Sequence, residues 1–151
     1  MQIFPTFEAL EAAVGTEVAV TDWLTITQER IDRFADATDD HQWIHVDAAR
    51  AARGPFGRTI AHGFLTLSLL PHWMERAVRL QAARMTINYG VNRVRFPAPV
   101  PVGSRLRARL RLHACERLAA DQLQVVWHVT VELEGSPKPA CVAELLLRHY
   151  A

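Results

Sequence analysis

Residues 62–78 read HGFLTLSLLPHWMERAV, and the periodicity of this stretch decides the fold. Phe64, Leu65, Leu67, Leu69, Leu70, Trp73, Met74, Ala77 and Val78 make it helical in pattern and apolar nearly all round. Such a helix has no face to give to water, so other elements must wrap it. Pro71 removes a backbone donor and is expected to bend the helix or shift its hydrogen bonding. Phe64 and Trp73 either line an apolar tunnel or fill the core.

The wrapper lies C-terminal to this helix. Leu106, Ala108, Leu110, Leu112 and Ala114 alternate with Arg105, Arg107, Arg109, Arg111 and His113. Leu123, Val125, Trp127, Val129, Val131 and Leu133 likewise oppose Gln124, His128, Thr130 and Glu132. A third segment, Ala140 to Tyr150, follows a Gly-Ser-Pro-Lys-Pro turn and is more apolar on both faces. Period-two alternation with short connections predicts long, half-buried antiparallel strands. The arginine row reads as an exposed face paired with glutamates. The economical assembly is an α+β one, a sheet curled around one helix.

Upstream, Thr6 caps a short helix over Phe7 to Val14, with Gly15 as its stop. Glu17 to Ile26 reads as extended. Thr27 caps a second helix, which buries Ile31, Phe34 and Ala35 and ends near Thr38. Asp39 and Asp40 then fall at its C-terminal end, where the helix dipole disfavours negative charge. An acid kept there at some cost points to a function. Asp47 to Arg53 forms one or two further helical turns, ended by Gly54-Pro55.

A chain of 151 residues, 50% of them hydrophobic, is the size of one domain, taken as residues 1–151. The formal net charge is +1 and Lys138 is the sole lysine. That balance argues against nucleic-acid binding through a basic surface. Cys115 and Cys141 lie far apart in strand-like patterns and read as buried free thiols of a reducing compartment. The start MQIFPTFEALEAAV lacks the basic and apolar regions of a signal peptide, and no apolar run is long enough to span a bilayer. No membrane association and a cytoplasmic location are expected.

Chemistry concentrates in residues 38–63, TDDHQWIHVDAARAARGPFGRTIAHG. Asp40 and His45 are interleaved with Trp43, Ile44 and Val46, which predicts polar groups in a partly dry cleft. A carboxylate and an imidazole on one loop can share a water, polarise it and pass its proton to a carbon acid. The competing reading is a helix terminator and a histidine packed under Trp43. Asp40, His41, His45 and Asp47 have a spacing that imitates a metal site, but no cysteine accompanies them and the segment is irregular, so no metal is expected. Ser68 lacks a neighbouring base and belongs to packing.

The order of these pieces resembles the MaoC-like dehydratases, among them the R-specific enoyl-CoA hydratases of the hot-dog fold. In that family an acid-x-x-x-x-His motif precedes a small helix, and a phenylalanine, an apolar pair and His-Gly open the central helix. Asp40, His45, Phe56, Ile60, His62 and Gly63 occupy those places. The later NYGVNRVRFPAPVPVGS, residues 88–104, is similar to the strand and turn that follow. Many members carry Asn-Pro where this chain has Gln42-Trp43, a pattern nearer to a NodN-like branch.

The resemblance implies a single MaoC-like hot-dog domain, an antiparallel sheet around a central helix, that hydrates trans-2-enoyl-CoA to (R)-3-hydroxyacyl-CoA. Asp40 would activate the water, and His45 would orient it and help protonate the α carbon. The Gly63 N–H, at the positive end of the helix, would stabilise the thioester oxyanion. His62, Arg93 and Arg95 are the candidates for holding the acyl-CoA thioester, with His62 the more structural of them. No organic cofactor is called for, because the thioester already acidifies the α carbon. An exposed sheet edge favours a homodimer. An acyl-CoA thioesterase and a non-catalytic acyl-CoA-binding protein remain as alternatives.

Overall fold

Alternating apolar residues hide from water only if their strands pair, and the pairing runs through the whole chain. The computed structural model describes residues 1–151. Its elements are β1 (Gln2–Phe4), α1 (Phe7–Glu11), β2 (Glu17–Val20), β3 (Leu24–Thr25), α2 (Gln28–Thr38), α3 (Trp43–Val46), α4 (Ala48–Ala51) and α5 (Gly63–Ser68). There follow α6 (Leu70–Ala77), β4 (Val78–Leu80), β5 (Met85–Arg95), β6 (Arg105–Ala119), β7 (Gln122–Leu133) and β8 (Cys141–Tyr150).

Six strands form one antiparallel sheet in the order β2-β6-β7-β8-β5, with β3 also paired to β6. Separately, β1 and β4 pair in parallel. Leu106, Ala108, Leu110, Leu112 and the odd-numbered residues Leu123 to Val131 are all buried against α5 and α6. This is the hot-dog fold, a curled antiparallel sheet around a central helix. No helix is long and apolar enough to cross a membrane.

The alternation holds along β7, whereas β6 shifts register against it twice, between Leu112 and Ala114 and again between Arg117 and Ala119. Leu112 faces Trp127, whereas Ala114 faces Val126 and Cys115 faces Val125, so His113 is the extra residue of a bulge. Cys115, not Ala114, therefore carries the core face onward. One inserted residue reverses every later side chain, and an alanine carries too little apolar signal to reveal it. Both thiols are free, Cys141 buried and Cys115 half-buried. Burial pushes each up to about 11, which leaves them unreactive.

The central helix comes in two pieces. Pro71 lies in the first turn of α6, where its missing N–H costs nothing, and α5 therefore ends just before it at Ser68. Leu65, Leu69, Leu70, Trp73, Met74 and Ala77 are buried, but Phe64 is 68% exposed. Phe64 neither fills the core nor is enclosed in a tunnel. Its ring instead leans toward Phe96, with centroids 6.0 Å apart.

The caps fall where the sequence places them. Thr6 Oγ1 accepts from the Ala9 N–H, and Thr27 Oγ1 from the Arg30 N–H. On the outer face, Arg105 pairs with Glu134, Arg107 with Glu132 and Arg109 with Glu17. Half-exposed pairs of this kind mark a solvated face more than they stabilise it. The β5 edge is uncovered, with Ile87 42% and Tyr89 54% exposed.

Candidate active site

The site begins where α2 ends. Asp39 adopts a left-handed conformation (φ 58°) and turns the chain so that Asp40 leaves the helix axis. A brief extended segment leads to α3, so His45 sits on a short helix of its own and not on the same loop as Asp40. Asp47 closes that helix and caps α4, its Oδ1 accepting from the Arg50 N–H at 2.9 Å. His41 bonds Asp36 at 2.9 Å. Neither His41 nor Asp47 joins the cluster that their spacing suggested.

What joins Asp40 and His45 is His62. Their ligating atoms all lie within 4.8 Å of one another, His45 and His62 buried and Asp40 exposed. His45 Nδ1–H donates to the Ile60 carbonyl at 2.6 Å, leaving Nε2 as a bare acceptor. His62 Nε2–H donates to the Asp40 carbonyl at 2.9 Å. His62 thus ties the start of the central helix to the residue that bears the acid. The two rings stack with centroids 3.8 Å apart and planes 24° from parallel.

Further residues hold this arrangement, and sequence reasoning missed them. Gln28 Nε2 donates to the His45 carbonyl and to Asp32 Oδ1, each at 2.8 Å. Gln28 Oε1 accepts from Thr59 Oγ1 at 2.6 Å. The Ile60 N–H returns to the Ile44 carbonyl at 3.0 Å, and Ala61 and Val102 lace this segment to residues 100 and 59. Gln28 reads in sequence as a first-turn residue of α2, so only its buried polar partners could have singled it out.

Burial holds the His45 pKa below the ordinary imidazole value of 6.5. The Ile60 carbonyl opposes that shift, the neighbouring His62 adds to it, and the Asp40 carboxylate weakly opposes it. A neutral ring with a bare Nε2 and an exposed carboxylate are both acceptors. One water can donate a hydrogen to each, which leaves its two lone pairs turned outward.

Gly63 opens α5, so its N–H has no acceptor within the helix. A Cβ here would stand 2.9 Å from Phe96 Cδ2, a separation that only glycine avoids. Arg93 has a left-handed backbone (φ 51°) and an exposed side chain that pairs with Glu144 at 3.5 Å. Arg95 folds back on the Val94 carbonyl at 2.7 Å. Neither guanidinium bonds to the Asp40, His45 and His62 group.

Fold and site together define an acid and imidazole pair at the start of a hot-dog helix. The chain matches the MaoC like domain over residues 9–133 and belongs to the MaoC-like dehydratase family. It is 55% identical over 151 residues, the full length of both chains, to 3-hydroxyacyl-thioester dehydratase Z of Mycobacterium tuberculosis. It is 48% identical over 132 residues to nodulation protein N of Rhizobium leguminosarum bv. viciae, covering 86% of this chain and 82% of that one. The unliganded R-hydratase PhaJ1 from Pseudomonas aeruginosa superimposes with a TM-score of 0.68 at 26% identity, over 89% of this chain and 79% of that one.

Proposed function

We propose that the protein, acting as one MaoC-like unit, adds water reversibly across trans-2-enoyl-CoA to give (R)-3-hydroxyacyl-CoA. The observation that carries this is His45, its Nδ1 committed to the Ile60 carbonyl and its Nε2 free, within 4.8 Å of the Asp40 and His62 polar atoms; burial favours its neutral form. In the hydration direction a water bonded to Asp40 and Nε2 attacks the β carbon. One water proton passes to the Asp40 and His45 pair, and the C=C electrons move toward the thioester oxygen. The Gly63 N–H takes the developing negative charge. The pair then returns its proton to the α carbon, which restores the C=O and leaves the hydroxyl on the β carbon. No metal or organic cofactor takes part.

His62 holds the Asp40 backbone, while Arg93 and Arg95 meet the CoA phosphates. The names of the dehydratase and R-hydratase relatives support the reaction and its stereochemistry. Pairing of the bare β5 edge with a second copy gives a homodimer, since an uncovered edge of this length invites another strand. Crotonyl-CoA tests the reading directly. Loss of the enoyl absorbance without thiol release is expected. Thiol release would signal hydrolysis, and no change in either would signal a protein that only binds.

A further inference from the structure

We propose that Gln28 is a positioning residue of the site, whose side-chain amide clamps the His45 backbone to the segment that fixes the His45 ring. Its effect on turnover rests on the hydratase reading, whereas its hold on the ring does not. Gln28 is the first residue of α2 and is half-buried, and Thr27 already caps that helix. The amide is thus free for other contacts, and each of its polar atoms makes one. Nε2 donates to the His45 carbonyl and to Asp32 Oδ1, each at 2.8 Å, while Oε1 accepts from Thr59 Oγ1 at 2.6 Å. A carbonyl and a carboxylate only accept, so the nitrogen has to face them and the amide has one orientation. The bond to the Asp32 carboxylate is charge-assisted and holds the amide plane in place.

These bonds close a circuit around the imidazole. It runs from the Gln28 amide through the His45 backbone to the ring, and from Nδ1–H to the Ile60 carbonyl at 2.6 Å. Thr59, the residue before Ile60, then returns it to Oε1. No link can lengthen unless another gives. The three partners stand 4, 17 and 31 positions from Gln28 in the chain, so one side chain ties α2 to α3 and to the segment before α5. Thr59 is 2% exposed, and loss of the amide would leave its hydroxyl buried and short of an acceptor. Gln28 makes no hydrogen bond to Asp40, His62 or Gly63 and reaches the chemistry through His45. A second tether, from the Ile60 N–H to the Ile44 carbonyl at 3.0 Å, limits the play that its loss allows.

The test reads the His45 ring in 15N-histidine-labelled protein, at a pH where imidazole is neutral, with its signals assigned among the seven histidines by their loss in His45→Ala. The parent is expected to carry its proton on Nδ1, with that proton far downfield. In Gln28→Leu the proton moves upfield as its bond lengthens, and part of it passes to Nε2. Thr59→Val, which removes one of the three bonds, moves the signals the same way by less, and Thr59→Ser restores them. With crotonyl-CoA, Gln28→Leu lowers kcat about tenfold and leaves KM within about twofold. A ring shift reports the native state, so a role in stability alone lowers the melting temperature and leaves the His45 signals unmoved. Unmoved signals in both Gln28→Leu and Thr59→Val, or an Nδ1 without a proton in the parent, would overturn the clamp. A raised KM with unchanged kcat would overturn positioning by placing Gln28 in substrate binding. Should Gln28→Leu fail to fold, the two Thr59 variants decide. The ring is read without turnover, so absence of hydratase activity leaves the clamp standing, whereas moved signals with parental kcat and KM overturn its effect on the reaction.

Discussion

The imidazole of His62 lies face to face with that of His45, 3.8 Å between centroids, and the two rings point their N–H groups at different backbone carbonyls. The Ile60 bond leaves His45 Nε2 bare, and burial, with the neighbouring His62 adding to it, disfavours a charge on its ring. Because the reaction needs neutral His45, kcat/KM for crotonyl-CoA falls on the acid side with a midpoint below 6.5. His62→Phe keeps an aromatic ring in the stack and removes the neighbour that pushes His45 down, so the midpoint moves toward 6.5. It also frees the Asp40 backbone, which lowers kcat by up to about 10²-fold. A pH profile of both proteins checks this, and an unmoved acid limb would assign the stack to packing alone.

Asp40 and His45 separate in their effect on stability. Asp40 is exposed and His45 is 6% exposed. Asp40→Asn and His45→Ala are each expected to lower turnover by about 10²-fold or more. Thermal melting of Asp40→Asn matches the parent protein. His45→Ala costs about 1–3 kcal/mol, because the Ile60 carbonyl is left without its donor. Turnover like that of the parent in either variant would remove that residue from the chemistry.

Gly63 and Phe96 form a testable pair. The methyl of Gly63→Ala meets Phe96 Cδ2 at 2.9 Å and Cγ at 3.0 Å, so the variant is overpacked by about 1–3 kcal/mol. The backbone N–H survives the change, yet the displaced ring moves the start of α5 and lowers kcat. Phe96→Ala opens that space, and the double variant is expected to recover both melting temperature and rate. If the double variant melts normally but stays inactive, glycine serves the substrate's approach and not the packing.

His149 makes stability depend on pH. Its pKa falls from 6.5 unfolded to about 4 folded, through burial. The unfolded chain therefore binds more protons between those values, and stability drops as pH falls through that window. At about 1.4 kcal/mol per unit, the loss reaches about 3 kcal/mol once the pH is below about 4. Urea midpoints at the two ends of the window measure it. His149→Gln flattens the dependence, leaving the smaller contribution of His45, which has the same sign.

The period-two runs of β6 to β8, the threonine caps and the closing turn of α2 were legible because each rests on local spacing or local sterics. The pairing of Asp40 with His45 was legible in a different way, through residue types whose chemistry matches a reaction and through a family motif. The bulge at His113 was not, since inserting one residue alters pairing without altering composition. Nor were the exposure of Phe64 and the roles of Gln28, Thr59 and the Ile60 carbonyl. Gln28 and Thr59 are 31 positions apart, and nothing in either neighbourhood marks the other.

Order along the chain thus determined an apolar helix, the strands that wrap it, and a carboxylate and an imidazole five positions apart, because hydrophobic periodicity and capping act over a few residues. Tertiary structure decided which ring nitrogen of His45 stays bare and that His62 stacks on it. Those outcomes depend on burial and on bonds closed across long stretches of chain, and neither is a property of any local segment.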